Sequence, residues 1–445
     1  MTEQTRPVEV CPQCGATLVT TPGFSAWCER CGWNIQPLQR LRSDDPFDTL
    51  DAEMEQQYAQ DALKLAENRL NQPAAFSVPV WASVIALLTH ALTAALFVGG
   101  LRVLGGLFFT TGINVFGFVI SLVFGLGLIV LAVGVQPIFT PRKQGERHTS
   151  TSAGLQSLVV DVATAMNVPA PHEIVIDESF DAQVVRTNFI TRPTVRLGYL
   201  LLQLLTPQET VAAVAIAVAC SSSADPRTGI WIGGAIQTLL RWLDIFGAAD
   251  IGSQRVAVRA GISTVIVTKR ENIDPIGSGI DKLIGRIGIL PMAALRALYR
   301  DTWSATQASR YQGDLAAARV CGTAALTHLF AVMRLKNAAT AILQRQTLRQ
   351  HAAAKGNAPR ETLITHMREA LQPLPEKEMQ RIDRAMRLEA AMSSDDPPMS
   401  WRLNLLEAHP ALPSVVLDAT AHARILAELK PLEVAISRQL FEQYR

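Results

Sequence analysis

Between Asn71 and Gly145 the sequence has no acidic residue, and Arg102 is the only charge before Arg142. Helices of a soluble core seldom lack charge on every face, so a gap of this length points towards lipid rather than water. A long basic run is missing too, and the net charge is only +2. That excludes a function built mainly on phosphate neutralisation. The start of the chain has no positive segment followed by an apolar stretch and a small-residue cleavage site, so a cleaved secretory signal is not expected and the N-terminus is expected in the cytosol. Histidine is sparse: the eight residues His90, His148, His172, His328, His351, His366, His409 and His422 include no pair four apart. A zinc site with two histidines one helical turn apart is thereby excluded.

What is present divides into modules, as 445 residues are too many for one ordinary core. The apolar fraction of 49% is near that of a soluble protein, so its distribution has to decide the class. Four of the six cysteines, Cys11, Cys14, Cys28 and Cys31, form two CxxCG knuckles within a short N-terminal segment. That spacing lets four sulfurs converge on one metal, the signature of a zinc ribbon. Glycine after the second cysteine of each pair permits the tight turn, and Trp27 and Trp33 supply a small core. Two disulfides or a metal-free redox dithiol are the alternatives, and neither suits a cytosolic segment as well. A structural zinc is therefore expected here. Within residues 1–38 the charges are Glu3, Arg6, Glu9, Glu29 and Arg30, net minus one, so the basic footprint of a nucleic-acid reader is missing.

Residues 39–75 read as a polar helical linker ending near Pro73, with Leu50, Met54, Tyr58, Leu63 and Leu70 at loosely helical spacing. Residues 76–140 follow as a transmembrane hairpin. Val78 to Leu101 and Ile113 to Ile138 each supply the roughly 20 residues a span needs, with GLFFTTG between them. Two buried helices of a soluble core are the competing reading. His90 inside the first span is expected to pack against a neighbouring helix. Arg69 precedes the first span and Arg142, Lys143 and Arg147 follow the second, against Arg102 in the intervening loop, so both termini are expected in the cytosol. A reduced compartment agrees with thiolate-ligated zinc.

Beyond Pro141 an amphipathic helix carries Leu155, Leu158, Val159, Val162 and Met166 on one face and stops before Pro169. EIVID, AQVVRTNFI and PTVRLG read as short strands. Thr206, Pro207 and Glu209 open a helix through a capping box with proline at its first position, and VAAVAIAVAC, apolar all round, should lie at the domain centre. Stretches near Ile230 to Phe246 and Ile287 to Leu298 read as core or interfacial helices. From Thr323 the pattern is helical, with breaks at Gly356, Pro373 and Pro397.

The order of these parts resembles the HtpX and CAAX prenyl protease family of zinc metallopeptidases, from about Gly154 to Leu406. VPAPHEIVID with SFDAQVVR resembles its strand and asparagine-alanine segment. PTVRLGYLLLQLLTPQETVAAVA resembles the strand, loop and helix that carry H-E-x-x-H, and SSSADPRTG the stretch beyond. RYQGDLAAARVCGTAA resembles the segment E-Y-x-A-D with its following A-A-R-V-x-G-T, and DDPPMSWRL a later H-P-P-x-x-x-R segment. Such chemistry needs two histidines facing one zinc, a glutamate to activate water and a third ligand from a later helix. Carried over, the H-E-x-x-H positions are Ile216, Ala217 and Cys220, and Tyr311, Asp314 and Gly322 set a register that puts Arg310 at the third ligand. Isoleucine has no lone pair, alanine no proton acceptor, and a guanidinium repels a divalent cation. Asp181 stands where the family has asparagine and Asp396 where it has histidine. Scaffold positions Pro207, Glu209, Asp225, Tyr311, Asp314, Gly322 and Arg402 match. No catalytic zinc is expected.

Within this segment His172-Glu173 is a decoy, because it lies in a strand-like run with Ile176 four residues on. Ser221 to Ser223 lack a base or oxyanion motif and are expected to cap a helix end. Cys220 and Cys321 read as small buried side chains, and Arg310 is expected to pair with Asp314. The fold expected is mainly α with a small β-sheet, that is α+β with a degenerate zincin-like domain at 141–345, a helical C-terminal part at 346–445, a zinc ribbon and two transmembrane helices. The implied function is a membrane-anchored pseudopeptidase that binds or regulates proteins or peptides, the edge strand PTVRLG holding peptide backbone as in related peptidases. An active metalloendopeptidase with non-standard ligands and a membrane-tethered ribbon that reads nucleic acid are the rival readings. Reporter fusions at the two ends of the chain should report the same, cytosolic, side; opposite sides would remove the hairpin.

Overall fold

The computed structural model describes residues 9–18, 24, 26–35, 80–109, 115–136, 148–150, 152–185, 194–222, 225–245, 289–353, 362–389 and 396–444. The polar linker read at residues 39–75 lies outside them. The chain is mostly helical with a small mixed sheet. Its N-terminal segment forms a two-stranded ladder, β1 (Glu9–Val10) against β2 (Thr17–Leu18).

Two helices, α1 (Val80–Phe109) and α2 (Val115–Gly134), are long and apolar enough to cross a membrane. They pack through glycine: a Cβ on Gly100 would lie 2.8 Å from the Gly125 carbonyl oxygen and 2.7 Å from Ile129. Large residues including Leu88, Leu92, Val98, Phe116, Val123 and Val130 face outward. Helix α1 is longer than the span read from the sequence, and the GLFF of the expected loop lies inside it. Arg102 is therefore a helical residue with its side chain exposed, a position from which a long cationic side chain can reach an interface.

Strand β3 (His148–Thr149) and helix α3 (Ala153–Ala165) begin the next part, with Ser152 Oγ accepting from the Leu155 backbone as N-cap. Leu155, Leu158, Val159 and Val162 are buried as their spacing requires, and Met166 is the C-cap. Strands β4 (Glu173–Asp177), β5 (Ala182–Val185) and β6 (Thr194–Gly198) complete a sheet of order β3-β4-β6-β5, in which β4 and β6 are parallel and the outer pairs antiparallel. PTVRLG is thus an interior strand, buried at every described position of β6, and not the edge. Among the described residues the sheet ends on that side at β5. Alternation could not separate edge from interior, because the sheet order depends on which strand the chain returns to. Gly198 is required where β6 ends, since a Cβ there would meet the Ser179 carbonyl oxygen at 1.9 Å. Asp177 and Arg196, on adjacent strands, form a buried ion pair at 3.1 Å.

A short turn of helix, α4 (Tyr199–Leu202), leads to the capping box. The Thr206 backbone N–H donates to Glu209 Oε2 at 2.7 Å, and that of Glu209 to Thr206 Oγ1 at 3.4 Å. The helix so opened, α5 (Pro207–Ser222), is buried from Val211 to Ala219 on all faces. It is covered by α3, by the sheet and by a helix much longer than the sequence pattern marked, α7 (Ile289–Cys321), which joins the expected amphipathic stretch and the RYQGDLAAARVC segment in 33 residues. Between them a 3-10 turn (Pro226–Thr228), capped by Asp225, precedes α6 (Ile230–Ile245). Asp225 also accepts from Thr306 Oγ1 at 2.9 Å, tying this corner to α7.

The rest closes around α5 and α7 as α8 (Thr323–Met333), α9 (Lys336–Ala353), α10 (Thr362–Leu371), α11 (Glu376–Leu388), α12 (Met399–Ala408), α13 (Ala419–Leu429) and α14 (Leu432–Gln443). Gly322, at φ +86°, makes the sharp step from α7 to α8, which a Cβ-bearing residue would strain. From α8, His328 Nδ1 contacts Glu209 Oε1 closely.

Burial acts to raise the Glu209 carboxyl, but the His328 and Thr206 contacts prevail and hold it below its ordinary value. The same bond to Glu209 raises His328 above its own. The sign follows from linkage. The Glu209 contribution is present above about 4.5, its unfolded value, and is lost as pH falls through the folded pKa. The His328 contribution is present below about 6.5 and is lost as pH rises through its folded pKa. Thermal unfolding of the full chain in detergent should therefore show a pH-dependent contribution of at most about 1 kcal/mol, as for a half-exposed pair. It should be greatest between those values and flattened on the alkaline side by His328→Gln.

Candidate functional site

Two constellations carry chemistry. In the first, each CxxCG knuckle closes on itself in the same way: the Gly15 and Gly32 backbones donate to the Cys11 and Cys28 carbonyls, both at 2.9 Å. Gly15 and Gly32 sit at φ +70° and +72°, where the turn needs glycine. The four sulfurs then lie within 4.8 Å of one another, with Cys11 and Cys31 at 3.6 Å and Cys14 and Cys28 at 3.6 Å. A disulfide needs about 2.05 Å. Four sulfurs at ~2.3 Å from one tetrahedral metal stand about 3.8 Å apart, so the set fits a metal ion. The Cys31 backbone N–H brings the Cys28 thiol down to about 7, while desolvation pushes Cys31 up to about 12. Among the described residues these cysteines form the one group of three or more ligand-type side chains close enough to hold a metal.

This cysteine segment is docked rather than free. Arg384 Nη1 donates to the Glu29 carbonyl at 2.8 Å, Lys377 Nζ pairs with the Glu29 carboxylate at 3.2 Å and Arg381 Nη1 reaches the Ile35 carbonyl at 3.4 Å. Lys377 also lies over the Trp27 ring, 5.9 Å from its centre. All three cations project from α11. Their i, i+4, i+7 spacing places them on one helical face, a pattern present in the sequence but not read there as a contact.

The second constellation lies where α5 meets α7. Ile216 and Ala217 are buried, and Cys220 is half-buried at the end of the apolar run. Arg310 of α7 donates from Nη1 to Cys220 Sγ at 3.0 Å. The positions carried over from both motif segments are thus brought together across the chain. The partner of Arg310 differs from the expectation: its Nε pairs with Asp396 Oδ1 at 3.3 Å. Asp314, one turn further along α7 and fully buried, is engaged in a bidentate pair with Arg402, both contacts at 2.7 Å. Arg402 in turn lies over the Phe330 ring at 4.3 Å. Sequence proximity favoured Asp314 for Arg310, but the planar fork of Arg402 matches that carboxylate with two parallel bonds.

Burial pushes the Cys220 thiol up, against the opposing charge of Arg310, so it is held protonated. Burial likewise raises Asp181, although the Ala182 backbone N–H donates to it at 2.8 Å; Asp396 contributes to the same rise. Cys220, Arg310 and Asp396 thus form one linked group at this junction. Cys321 is a buried thiol donating to the Ala317 carbonyl at 3.1 Å, as a small core side chain. His172 and Glu173 lie at the start of β4 and His90 packs on Trp231, its Nε2 3.0 Å from that carbonyl. The side chains of Ser221 to Ser223 are outside the described residues. Comparison with family models, with curated proteins and with solved structures returns no match.

Arg402→Ala should leave Asp314 buried without its partner and destabilise the protein by about 3–5 kcal/mol, read by thermal unfolding in detergent. Arg310→Ala, with both members of its pair partly exposed, should cost less than about 1 kcal/mol.

Proposed function

We propose that this chain is a membrane-anchored pseudopeptidase of the HtpX and CAAX prenyl protease type, with a structural zinc in an N-terminal ribbon and no catalytic zinc. The observation that carries the reading is the meeting of Cys220 and Arg310, 90 residues apart in sequence and 3.0 Å apart in space. Their convergence is what the family register requires of a first-helix ligand, placed through the TPQE start of α5, and a later-helix ligand, placed from Tyr311, Asp314 and Gly322. Supporting it, Asp396, at a family histidine position, reaches the same point. Isoleucine, alanine, cysteine and arginine at the four positions supply neither a metal cage nor a base for water.

The function is then recognition without cleavage. Strand β5 lies against α5 and is the sheet edge on that side among the described residues, so an extended peptide added to it would run beside the Cys220 and Arg310 cluster. Backbone ladders of that kind give affinity with little sequence demand. Both spans anchor the domain at the membrane, and the partner is a protein or peptide at the cytosolic face.

Metal analysis of the purified chain should find about one zinc, lost in Cys14→Ser, and no cleavage of peptide or casein-like substrates. Ile216→His, Ala217→Glu and Cys220→His together should add no metal while Arg310 remains. Adding Arg310→Glu should bring the count to about two, with turnover kept low by Asp181 and Asp396. Two zincs in the unaltered protein, or proteolysis abolished by chelation, would overturn the reading.

A further inference from the structure

Helix α11 grips the second cysteine knuckle at its middle. The knuckle runs Cys28, Glu29, Arg30, Cys31 and Gly32, and two cations of α11 meet on one of its residues. Lys377 Nζ pairs with the Glu29 carboxylate, and Arg384 Nη1 donates to the Glu29 carbonyl. A Cβ built on Gly32 would stand 4.0 Å from Arg384 Nη2, so the same guanidinium borders the glycine that closes the knuckle. Trp27, one residue before Cys28, is buried with Lys377 over its ring. Phe24 packs against the main core.

The Glu29 carbonyl and the Arg30 N–H belong to one peptide unit, and that N–H is among the hydrogen bonds that draw the Cys28 thiol down. A guanidinium donating to the carbonyl end of a peptide polarises its N–H end, which strengthens the bond on the sulfur. A continuous path therefore runs from Arg384 through the Glu29–Arg30 peptide to Cys28 Sγ. Charge acts in the same direction. Four thiolates around one divalent ion keep a net negative charge of two, and among the described residues of the segment Glu9, Glu29 and Arg30 add one more. On α11, Arg381 lies against buried Glu378, and Arg387 against Asp383 and Glu407. Lys377 and Arg384 instead bring their charge to the cysteine segment.

We propose, on the structural-zinc reading above, that α11 is part of the metal centre: Arg384 positions the second knuckle and, with Lys377, offsets the charge of the bound tetrathiolate, so metal binding and docking strengthen one another. Arg384 is a positioning residue, since it acts on Cys28 through a peptide. The coupling is reciprocal, because whatever factor docking adds to metal affinity the metal adds to docking. Groups one hydrogen bond removed from a ligand carry about 10–100-fold in metal affinity. Helix α11 is itself held in the domain by buried Ile382 and Met386, on which the three cations make no demand. Loss of the metal would then loosen the hold of the N-terminal segment on the domain while leaving α11 in place.

The coupling is testable on the full chain in detergent, with zinc affinity read by competition against a chromogenic chelator. Arg384→Ala should weaken zinc binding about 10-fold or more, whereas Arg387→Ala, on the same helix but paired with Asp383 and Glu407, should leave it unchanged. In the unaltered chain a carbodiimide should join Lys377 to Glu29, which stand 3.2 Å apart, and the yield, mapped by mass spectrometry, should fall several-fold once zinc is removed. Equal zinc affinity in Arg384→Ala and the unaltered chain, an equal loss in Arg387→Ala, or a cross-link indifferent to zinc would overturn the coupling and leave the structural zinc standing. An unaltered chain that binds no zinc would overturn both.

Discussion

Helix α5 has no polar face, and the soluble part of the molecule is arranged to cover it. From Val211 to Ala219 each side chain is buried, so one helix has to be surrounded by α3, the sheet, α7 and α8. Alanine at alternate positions keeps those neighbours close, which is how Arg310 reaches Cys220 without a cavity-spanning side chain. A helix of this composition gains little from its own hydrogen bonds in water and much from being enclosed. Its N-terminus, where α-helical N–H groups lack partners, is held by the Thr206 and Glu209 capping box, and Glu209 is neutralised from α8 by His328.

Charge inside this part of the fold is tolerated because it is paired. Asp314 with Arg402, Asp177 with Arg196 and Glu378 with Arg381 each join a buried carboxylate to a guanidinium. Removing one member of such a pair costs more than the pair itself contributes, so these contacts fix orientation more than they add stability. The Arg310 and Asp396 pair is more exposed than these. It sits at the rim of the junction of α5 and α7.

Much of the local structure was legible from residues alone. The knuckle spacing led to four converging sulfurs, the capping box to the start of α5, and EIVID to β4, because each depends on neighbours within a few positions. Cys220 and Arg310, 90 residues apart, meet only through the packing of α5 on α7. Boundaries were less legible. The GLFF segment joined α1 because no proline interrupts it and glycine alone does not end an apolar helix, and α7 ran on through a charged stretch that looked like a break.

By itself the sequence determined the classes of element, since these follow from composition and short-range periodicity. Tertiary structure decided the pairings. It gave Arg310 to Asp396 and Asp314 to Arg402, made β6 an interior strand, clasped the cysteine knuckles onto Lys377, Arg381 and Arg384 and packed α6 against α1. The physical reason is common to all four: a charge or an apolar face fixes only the kind of partner it needs, and which partner it receives depends on how distant parts of the chain are brought within a few ångströms.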